Sequence, residues 1–313
     1  MAEVTVPPDL TFLSPPGEVA DWRMILLVDA AASSGVLGAL PATAEAVAAR
    51  LGLDPQAVRV VLDALATWGI VSTGMDQTYA RGAAASTTEV MASIGHHARA
   101  LRRWTAVDRR LRGEAGDDPA GRADPESFHD ALAVTARRAA PEVIDVCLAR
   151  FPGAKTALDL GGLHGEYSLE LTRRGLQVTM QDQPAMIEVA RRRGRLEAAG
   201  VELYEGSFFE TVPDGPFDLA FCSGITHTFD GERNRALYRN LRRVVGGGVA
   251  VVTFLRGRNP LATLFAVQML LNDKGGDTHT EAEYRGWLGA AGFTVDEAVL
   301  DLGQGARSVL FAT

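Results

Sequence analysis

Apolar positions change their period partway along the chain, and the change divides it in two. From Trp22 to Leu40, the residues Ile25, Leu26, Val28, Val36 and Leu37 recur at helical spacing and predict a helical stretch. T-A-E-A-V-A-A-R-L from Thr43 predicts a short helix capped by Thr43 and ended by Gly52. D-P-Q-A-V-R-V-V-L-D-A-L-A-T-W-G from Asp54 predicts another, with an Asp cap, a proline in the first turn and a stop at Gly69. Ile70-V-S then pairs with Thr78-Y-A across a turn at Gly74. Three helices and a hairpin make a winged helix. Pro7, Pro8, Pro15 and Pro16 keep the segment before it irregular.

The second half alternates strands and helices. The strand candidates are Thr156–Leu160, Gln177–Met180, Val201–Tyr204, Phe217–Cys222, Val249–Leu255, Phe293–Leu300 and Ser308–Ala312. The runs L-A-F-C and V-A-V-V-T-F are almost wholly apolar, as expected of parallel strands covered on both faces. The predicted fold is α/β: a Rossmann-like, doubly wound, mostly parallel seven-stranded sheet, with ligands at the carboxyl ends of its strands. The last two strands are joined by too short a segment for a crossover helix, so they pair antiparallel. Between the halves, an Arg-rich helical run holding His96, His97 and Trp104 ends near Gly113, and Phe128 to Cys147 is helical with an interruption at Pro141. His96 and His97 are adjacent and point to different sides of a helix, so they are no metal pair. E-A-G-D-D-P-A-G-R-A-D-P marks the boundary between a winged-helix domain, 1–115, and an α/β domain, 116–313.

The α/β half is organised around T-A-L-D-L-G-G-L-H-G-E-Y-S-L-E-L-T-R-R, from Thr156 to Arg174. An extended apolar run turns on Gly161, Gly162 and Gly165, and Leu163, Tyr167 and Leu171 then mark the face of a helix. Such a turn lets backbone approach a ligand closely, and the helix N-terminus offers unpaired N–H groups. Asp182 stands 21 residues after Gly161, past a second strand, where a carboxylate can accept from two ribose hydroxyls. G-x-G-x-x-G cannot be laid on this turn, and D-x-G-G-x-x-G suits a nucleoside without phosphate better than a dinucleotide. A tight βα turn of any α/β protein is the other reading.

Composition narrows the functions. At 313 residues, 47% of them apolar, the chain is globular and long enough for two domains. A net charge of −8 argues against nucleic-acid binding. A winged helix invites that reading, but the first hundred residues hold ten acids against five arginines and no lysine. Its apolar helices, Trp22–Leu40 and Asp54–Trp68, are expected to pack on a second copy of the chain instead. Two cysteines, Cys147 and Cys222, without a C-x-x-C, suit a reducing cytoplasm and give no metal framework. No apolar stretch spans a membrane, and M-A-E-V-T-V-P-P-D-L lacks the basic start of a secretory leader.

Six segments, in order and spacing, carry a family resemblance: A-E-A-V-A-A-R-L-G-L-D-P-Q-A-V-R-V-V-L-D-A-L-A-T-W-G-I-V, L-D-L-G-G-L-H-G, V-T-M-Q-D-Q-P, E-G-S-F-F-E, G-I-T-H-T-F-D-G-E and G-G-D-T-H-T-E-A-E-Y-R. With them the chain resembles, over almost its whole length, the class I S-adenosylmethionine-dependent O-methyltransferases of the small-molecule type. These are plant phenolic and bacterial polyketide-tailoring enzymes. The resemblance implies a dimerisation role for the winged helix and S-adenosylmethionine as cofactor, leaving as S-adenosylhomocysteine. It implies cofactor binding by Asp159, Gly161, Gly162, Gly165, Asp182, Gln183, Ser207, Phe208 and Ser223. Ser207 stands where the family usually has Asp, and Ser223 where plant members have Lys and bacterial members often Ser. His164, inside the glycine turn, is expected to line the cofactor pocket.

The same resemblance makes His227 the catalytic base. Imidazole suits that task near neutral pH, and a strand-end polar residue in a loop is the other reading. Plant members orient the histidine with two glutamates, whose positions here are Thr253 and Thr278. Asp277 is the substitute expected, ahead of Asp230, Asp273 and Glu281. Trp104, Phe128, Phe229, Phe254, Phe265, Met269, Leu270 and Asp273 fall on segments that line the acceptor pocket, although core packing explains most of them equally well. The implied function is O-methylation of a small aromatic or polyketide-like metabolite by a homodimer, without metal, membrane or nucleic acid. Some relatives with this fold and cofactor carry out N- or C-methylation, decarboxylation, hydroxylation or pericyclic reactions instead.

Overall fold

A computed structural model describes residues 22–82, 88–114, 124–272, 277–302 and 307–313. The Pro-rich start, the boundary expected at residue 115 and the candidate Asp273 lie outside them. The chain forms two compact units, Met1–Leu101 and Arg102–Thr313.

In the first unit, helix α1 (Trp22–Ser33) is followed by α2 (Ala44–Leu51), α3 (Pro55–Thr67), strands β1 (Val71–Thr73) and β2 (Tyr79–Arg81), and α4 (Thr88–Trp104), whose last residues enter the second unit. The caps are those the sequence predicts. Thr43 accepts from the Ala46 N–H, Asp54 accepts from the Ala57 N–H with Pro55 at the first turn, and Gly52 closes α2 in the left-handed region. Strands β1 and β2 pair antiparallel, Val71 opposite Arg81. The helix expected from Trp22 to Leu40 is broken. Ser33 and Ser34 turn their hydroxyls onto the Ala30 and Ala31 carbonyls, Gly35 takes φ +85°, and a 3-10 turn, Leu37–Ala39, follows. Much of the apolar surface of α1 and α3 packs within the unit, with Val28, Ala31, Val58, Leu62 and Leu65 buried against Leu37 and Val47. Trp22, Val60 and Trp68 remain about half exposed, at 57%, 53% and 49%.

The second unit starts earlier than residue 115 because the end of α4 and helix α5 (Val107–Leu111) are bonded to a late helix. Trp104 Nε1 donates to Gln268 Oε1 (2.6 Å) and Arg110 Nη2 to the Leu270 carbonyl (2.9 Å). Helix α6 (Pro125–Arg150), capped by Asp124, runs unbroken through Pro141, where an interruption was expected. Pro141 lies on its exposed side.

There follow β3 (Thr156–Leu160), α7 (Glu166–Arg173), β4 (Gln177–Asp182), α8 (Pro184–Arg193), α9 (Arg195–Ala198), β5 (Glu202–Glu205), β6 (Phe217–Ser223), α10 (Gly231–Val244), β7 (Val245–Thr253), α11 (Pro260–Asn272), α12 (Glu281–Ala290), β8 (Leu300–Asp301) and β9 (Ser308–Ala312). The seven strands are ordered β5-β4-β3-β6-β7-β9-β8, parallel except for β9, which runs against both neighbours. Val143, Leu171 and Ile187 from α6, α7 and α8 pack on Ala157, Val178 and Met180. On the other face Leu237 and Leu241 of α10 and Tyr284, Trp287 and Leu288 of α12 pack on Leu158 and Leu160. The sheet is therefore doubly wound, with its order reversing at β3 and β6, where such sheets hold ligands.

The strand expected over Phe293–Leu300 is reduced to Leu300–Asp301 and an isolated bridge, Val295 to Ala312. Two arginines draw its middle carbonyls away from the ladder. Arg285 donates to Asp296 O and Glu297 O (both 2.8 Å) and Arg258 to Val299 O (2.9 Å).

Candidate active site

The turn after β3 is held from β4. The Gly161 N–H donates to the Gln181 carbonyl (2.8 Å), and the Leu163 N–H donates to Asp182 Oδ2 (2.8 Å). Gly161 and Leu163 take φ +66° and +43°, so Leu163 belongs to the turn and not to the helix face, which starts at Glu166. A Cβ on Gly162 would lie 2.5 Å from Met180 Cγ and 2.8 Å from Asp159 Oδ2, which excludes any side chain there. Asp182 Oδ1 accepts from the N–H of Gln183, whose own side chain is exposed.

Two buried carboxyls thus face the turn. Asp159 accepts from Ser168 Oγ (2.6 Å), and burial pushes its carboxyl up to about 7, opposed by that hydrogen bond and helped by the charge of Asp182. Burial also raises Asp182, against the pull of the Gln183 and Leu163 N–H groups. Paired carboxyls beside a tight glycine turn fit a ligand that has vicinal hydroxyls and positive charge, as a nucleoside sulfonium has.

His164 does something the sequence did not reveal. Its Nδ1 accepts from the Glu166 N–H (3.1 Å), so the ring caps α7. Burial pushes its pKa down to about 3, and it stays neutral. Glu166 is held below its usual range, despite burial, by Arg195 and Arg137 at 2.6 and 2.8 Å.

Ser207 follows β5. Its carbonyl accepts from the Glu210 and Thr211 N–H groups. The Phe208 ring is buried in the core against Phe229, and Phe209 is half-buried, edge-on to Phe229 at 4.9 Å. Ser223 ends β6 opposite Val252.

Beyond Ser223, Gly224 and Ile225 lead into a 3-10 turn, Thr226–Thr228, that carries His227. Ile225 also closes on the glycine turn, since a Cβ on Gly161 would lie 2.2 Å from its Cγ2. The His227 turn is gripped through its backbone. Asn234 Nδ2 donates to the carbonyls of Thr226, Phe229 and Asp230 (2.9, 3.1 and 3.2 Å). The Asp277 N–H donates to His227 O (3.3 Å), and His279 Nε2 donates to Phe229 O (2.7 Å). Tyr284 OH meets Thr226 Oγ1 and Thr253 Oγ1 (2.8 and 3.2 Å).

The imidazole is buried edge-on to Phe254 and Phe265, with centroids 5.9 and 5.3 Å away. Its Nδ1 has no hydrogen-bond partner among the described residues. Burial, and then the neighbouring His279, push its pKa down to about 4. The carboxylate expected to orient it is elsewhere: Asp277 pairs with Arg256 (3.2 Å). Thr253 is turned to Tyr284, and Thr278 Oγ1 donates to the Ala262 carbonyl (2.9 Å).

The aromatic candidates fall into three groups. Phe254 and Phe265 stack at 4.2 Å beside His227. Phe229 joins Phe208 and Phe209, and Trp104 bonds α11, which also carries Phe265 and the buried Met269. Phe128 is half-buried early in α6, next to His129 and Asp130, with Asp130 paired to Arg193 at 2.5 Å. Tyr284 and Arg256 had no signal in spacing, because each meets partners more than twenty residues away through the tertiary fold.

Residues 123–294, more than half of the chain, match the O-methyltransferase domain family. The mitomycin biosynthesis 6-O-methyltransferase of Streptomyces lavendulae is 29% identical, the match covering 83% of this chain and 81% of that protein. The solved mitomycin 7-O-methyltransferase superposes with a TM-score of 0.72 at 27% identity, over 93% of this chain and 94% of that one. Human N-acetylserotonin methyltransferase, solved with S-adenosylmethionine, has the same fold, with a TM-score of 0.71 at 20% identity over 93% and 94% of the two chains. This chain is thus an S-adenosylmethionine-dependent methyltransferase and belongs to the O-methyltransferase family.

Proposed function

We propose that the protein methylates a hydroxyl of a small, flat, largely apolar metabolite of the aromatic or polyketide kind, and that His227 meets that hydroxyl and takes its proton. One observation carries this reading. Ile225 packs against Gly161 of the glycine turn two residues before His227, so the cofactor end and the histidine share one wall. When bound, the cofactor supplies a methyl group already activated on sulfonium. The chain has to bind, orient and exclude water. Asp182 and Asp159, with the backbone of the glycine turn, suit the ribose and the positive charge. The Phe254–Phe265 pair and Phe229 suit a flat acceptor held in line with the methyl group. Asp277 assists through its backbone N–H on the His227 carbonyl rather than through its carboxylate. The relative in mitomycin biosynthesis supports a role in natural-product tailoring. We place the protein in a reducing cytoplasm, where its two buried thiols remain free, and read it as a homodimer through its first unit.

Incubation with methyl-labelled S-adenosylmethionine and a panel of hydroxylated aromatics should yield a labelled methyl ether. Intact cofactor binding without any labelled ether would reject O-methylation. A second reading, N- or C-methylation or a reaction without methyl transfer, is favoured by His227 Nδ1, which has no hydrogen-bond partner among the described residues. Labelled amine, labelled carbon or unlabelled product would select it.

A further inference from the structure

The turn that carries His227 is short and holds itself poorly. Within it the Thr228 N–H donates to the Ile225 carbonyl at 2.9 Å, and the Phe229 N–H reaches the Thr226 carbonyl only at 3.4 Å. Such a 3-10 turn has poor hydrogen-bond geometry of its own. The tighter bond to that same Thr226 carbonyl comes from Asn234 Nδ2, at 2.9 Å. The amide also donates to the Phe229 and Asp230 carbonyls, at 3.1 and 3.2 Å, so it takes the chain on both sides of the imidazole. Turned over, it would set its oxygen against three carbonyl oxygens, which fixes its orientation. Asn234 is wholly buried and is itself anchored. Early in α10, Asp230 Oδ1 accepts from the Arg233 N–H (2.9 Å), and the Asn234 N–H donates to the Asp230 carbonyl (3.0 Å). Leu237 and Leu241 seat the same helix in the core.

Resting on the reading of His227 as the base, we propose that Asn234 is its positioning residue: the Asn234 amide ties the turn to α10 and so aims the imidazole at the acceptor hydroxyl. Phe254 and Phe265, with centroids 5.9 and 5.3 Å from the imidazole, limit how the ring can turn. Its distance to a reacting oxygen is set by the backbone that bears it, and that backbone is what Asn234 holds. A displacement of about 1 Å in such a group can cost roughly 10²-fold in rate. An amide neither gives nor takes a proton near neutral pH, so Asn234 acts on turnover through His227. Asn240, further along α10, supplies an internal comparison. Its Nδ2 donates to the Phe208 and Phe209 carbonyls, at 3.0 and 3.1 Å, which is the same grip on a loop that does not carry the base.

A double-mutant cycle on the full chain tests this, with methyl-labelled S-adenosylmethionine and a hydroxylated aromatic that the parent enzyme methylates. Asn234→Ala should lower kcat by roughly 10- to 10²-fold. Calorimetry should find its cofactor affinity within about threefold of the parent's. Asn234→Ser, which keeps one donor, should recover part of the loss in kcat. In the His227→Ala background, Asn234→Ala should change kcat by no more than about twofold, because its effect runs through a base already gone. Asn240→Ala gives the contrast: whatever it costs should recur in full in that background. The proposal is overturned if Asn234→Ala costs the same factor with and without His227, or if it leaves kcat at the parent value. Loss of cofactor binding in both Asn234→Ala and Asn234→Ser overturns it too, since the residue would then hold the fold and not the base. Unchanged turnover in the single His227→Ala variant rejects the base reading itself, and the proposal falls with it.

Discussion

Asp182→Asn exchanges a carboxylate that accepts two backbone N–H bonds for an amide that can accept only one. In the protein, Oδ2 takes the Leu163 N–H at 2.8 Å and Oδ1 takes the Gln183 N–H at 2.7 Å. In the variant one of these donors faces an NH₂ group. Losing a hydrogen bond to a charged group costs about 1.5–3 kcal/mol. The amide is also a weaker acceptor for ribose hydroxyls, while burial makes the carboxylate itself unfavourable and offsets part of the loss. The lost turn bond lowers stability with or without cofactor, while the weaker ribose acceptor lowers affinity by about 1.5–3 kcal/mol, or roughly 10–150-fold, at 1.4 kcal/mol per factor of ten. Titration calorimetry near neutral pH reads it directly, and thermal unfolding without cofactor separates collapse of the turn from a lost ligand contact. A dissociation constant within twofold of the parent would refute the placement of Asp182 in the cofactor site.

The remaining expectations concern the base, a buried acid, a hydroxyl and assembly. His227→Ala should lower turnover by about 10²-fold, the low end for general base catalysis because the parent imidazole binds protons weakly, with cofactor affinity unchanged by calorimetry. Asp159 binds its proton more tightly folded than unfolded, so its contribution to stability is present at acid pH and is lost as pH rises from about 4 to about 7. It amounts to at most about 4 kcal/mol, and Asp159→Asn should flatten that slope in a pH series of melting temperatures. Tyr284→Phe leaves the Thr226 and Thr253 hydroxyls without their shared partner. It should cost about 1–3 kcal/mol of stability and lower kcat, while the KM for cofactor holds; unchanged melting and kcat would dismiss the hub. Light scattering in dilute solution should give the mass of a dimer, and a monomer would exclude assembly through Trp22, Val60 and Trp68.

The sequence disclosed most where structure is local. Caps at Thr43 and Asp54 and the stop at Gly52 depend on residues a few positions apart, and each lies where the spacing puts it. Strand β6 runs one residue past its expected end, and β7, expected over Val249–Leu255, spans Val245–Thr253. It disclosed less where distant side chains intervene. The strand expected over Phe293–Leu300 has the right residues, but Arg285 and Arg258 take its carbonyls. Asp277 stands beside the position of a family acid, yet Arg256 holds its carboxylate. His164 lies in the glycine motif, and only the left-handed backbone at Gly165 brings its ring onto the first N–H of α7. A spacing argument sees which residues are neighbours in the chain and not which charges compete for them.

The glycine turn and the turn bearing His227 are held by different forces. Around the glycine turn, Glu166 is clamped by Arg137 and Arg195, whose side chains are about half exposed at 47% and 52%. Ion pairs open to water weaken as dissolved salt shortens the reach of charge, to about 8 Å at physiological ionic strength and about 3 Å at 1 M. The turn bearing His227 is gripped by uncharged groups, the Asn234 amide and the Tyr284 and Thr226 hydroxyls, deep inside the protein. Dissolved ions have no purchase on those contacts. Ionic strength therefore acts as a selective variable, loosening the pairs that frame the glycine turn more than the uncharged contacts that hold the His227 turn.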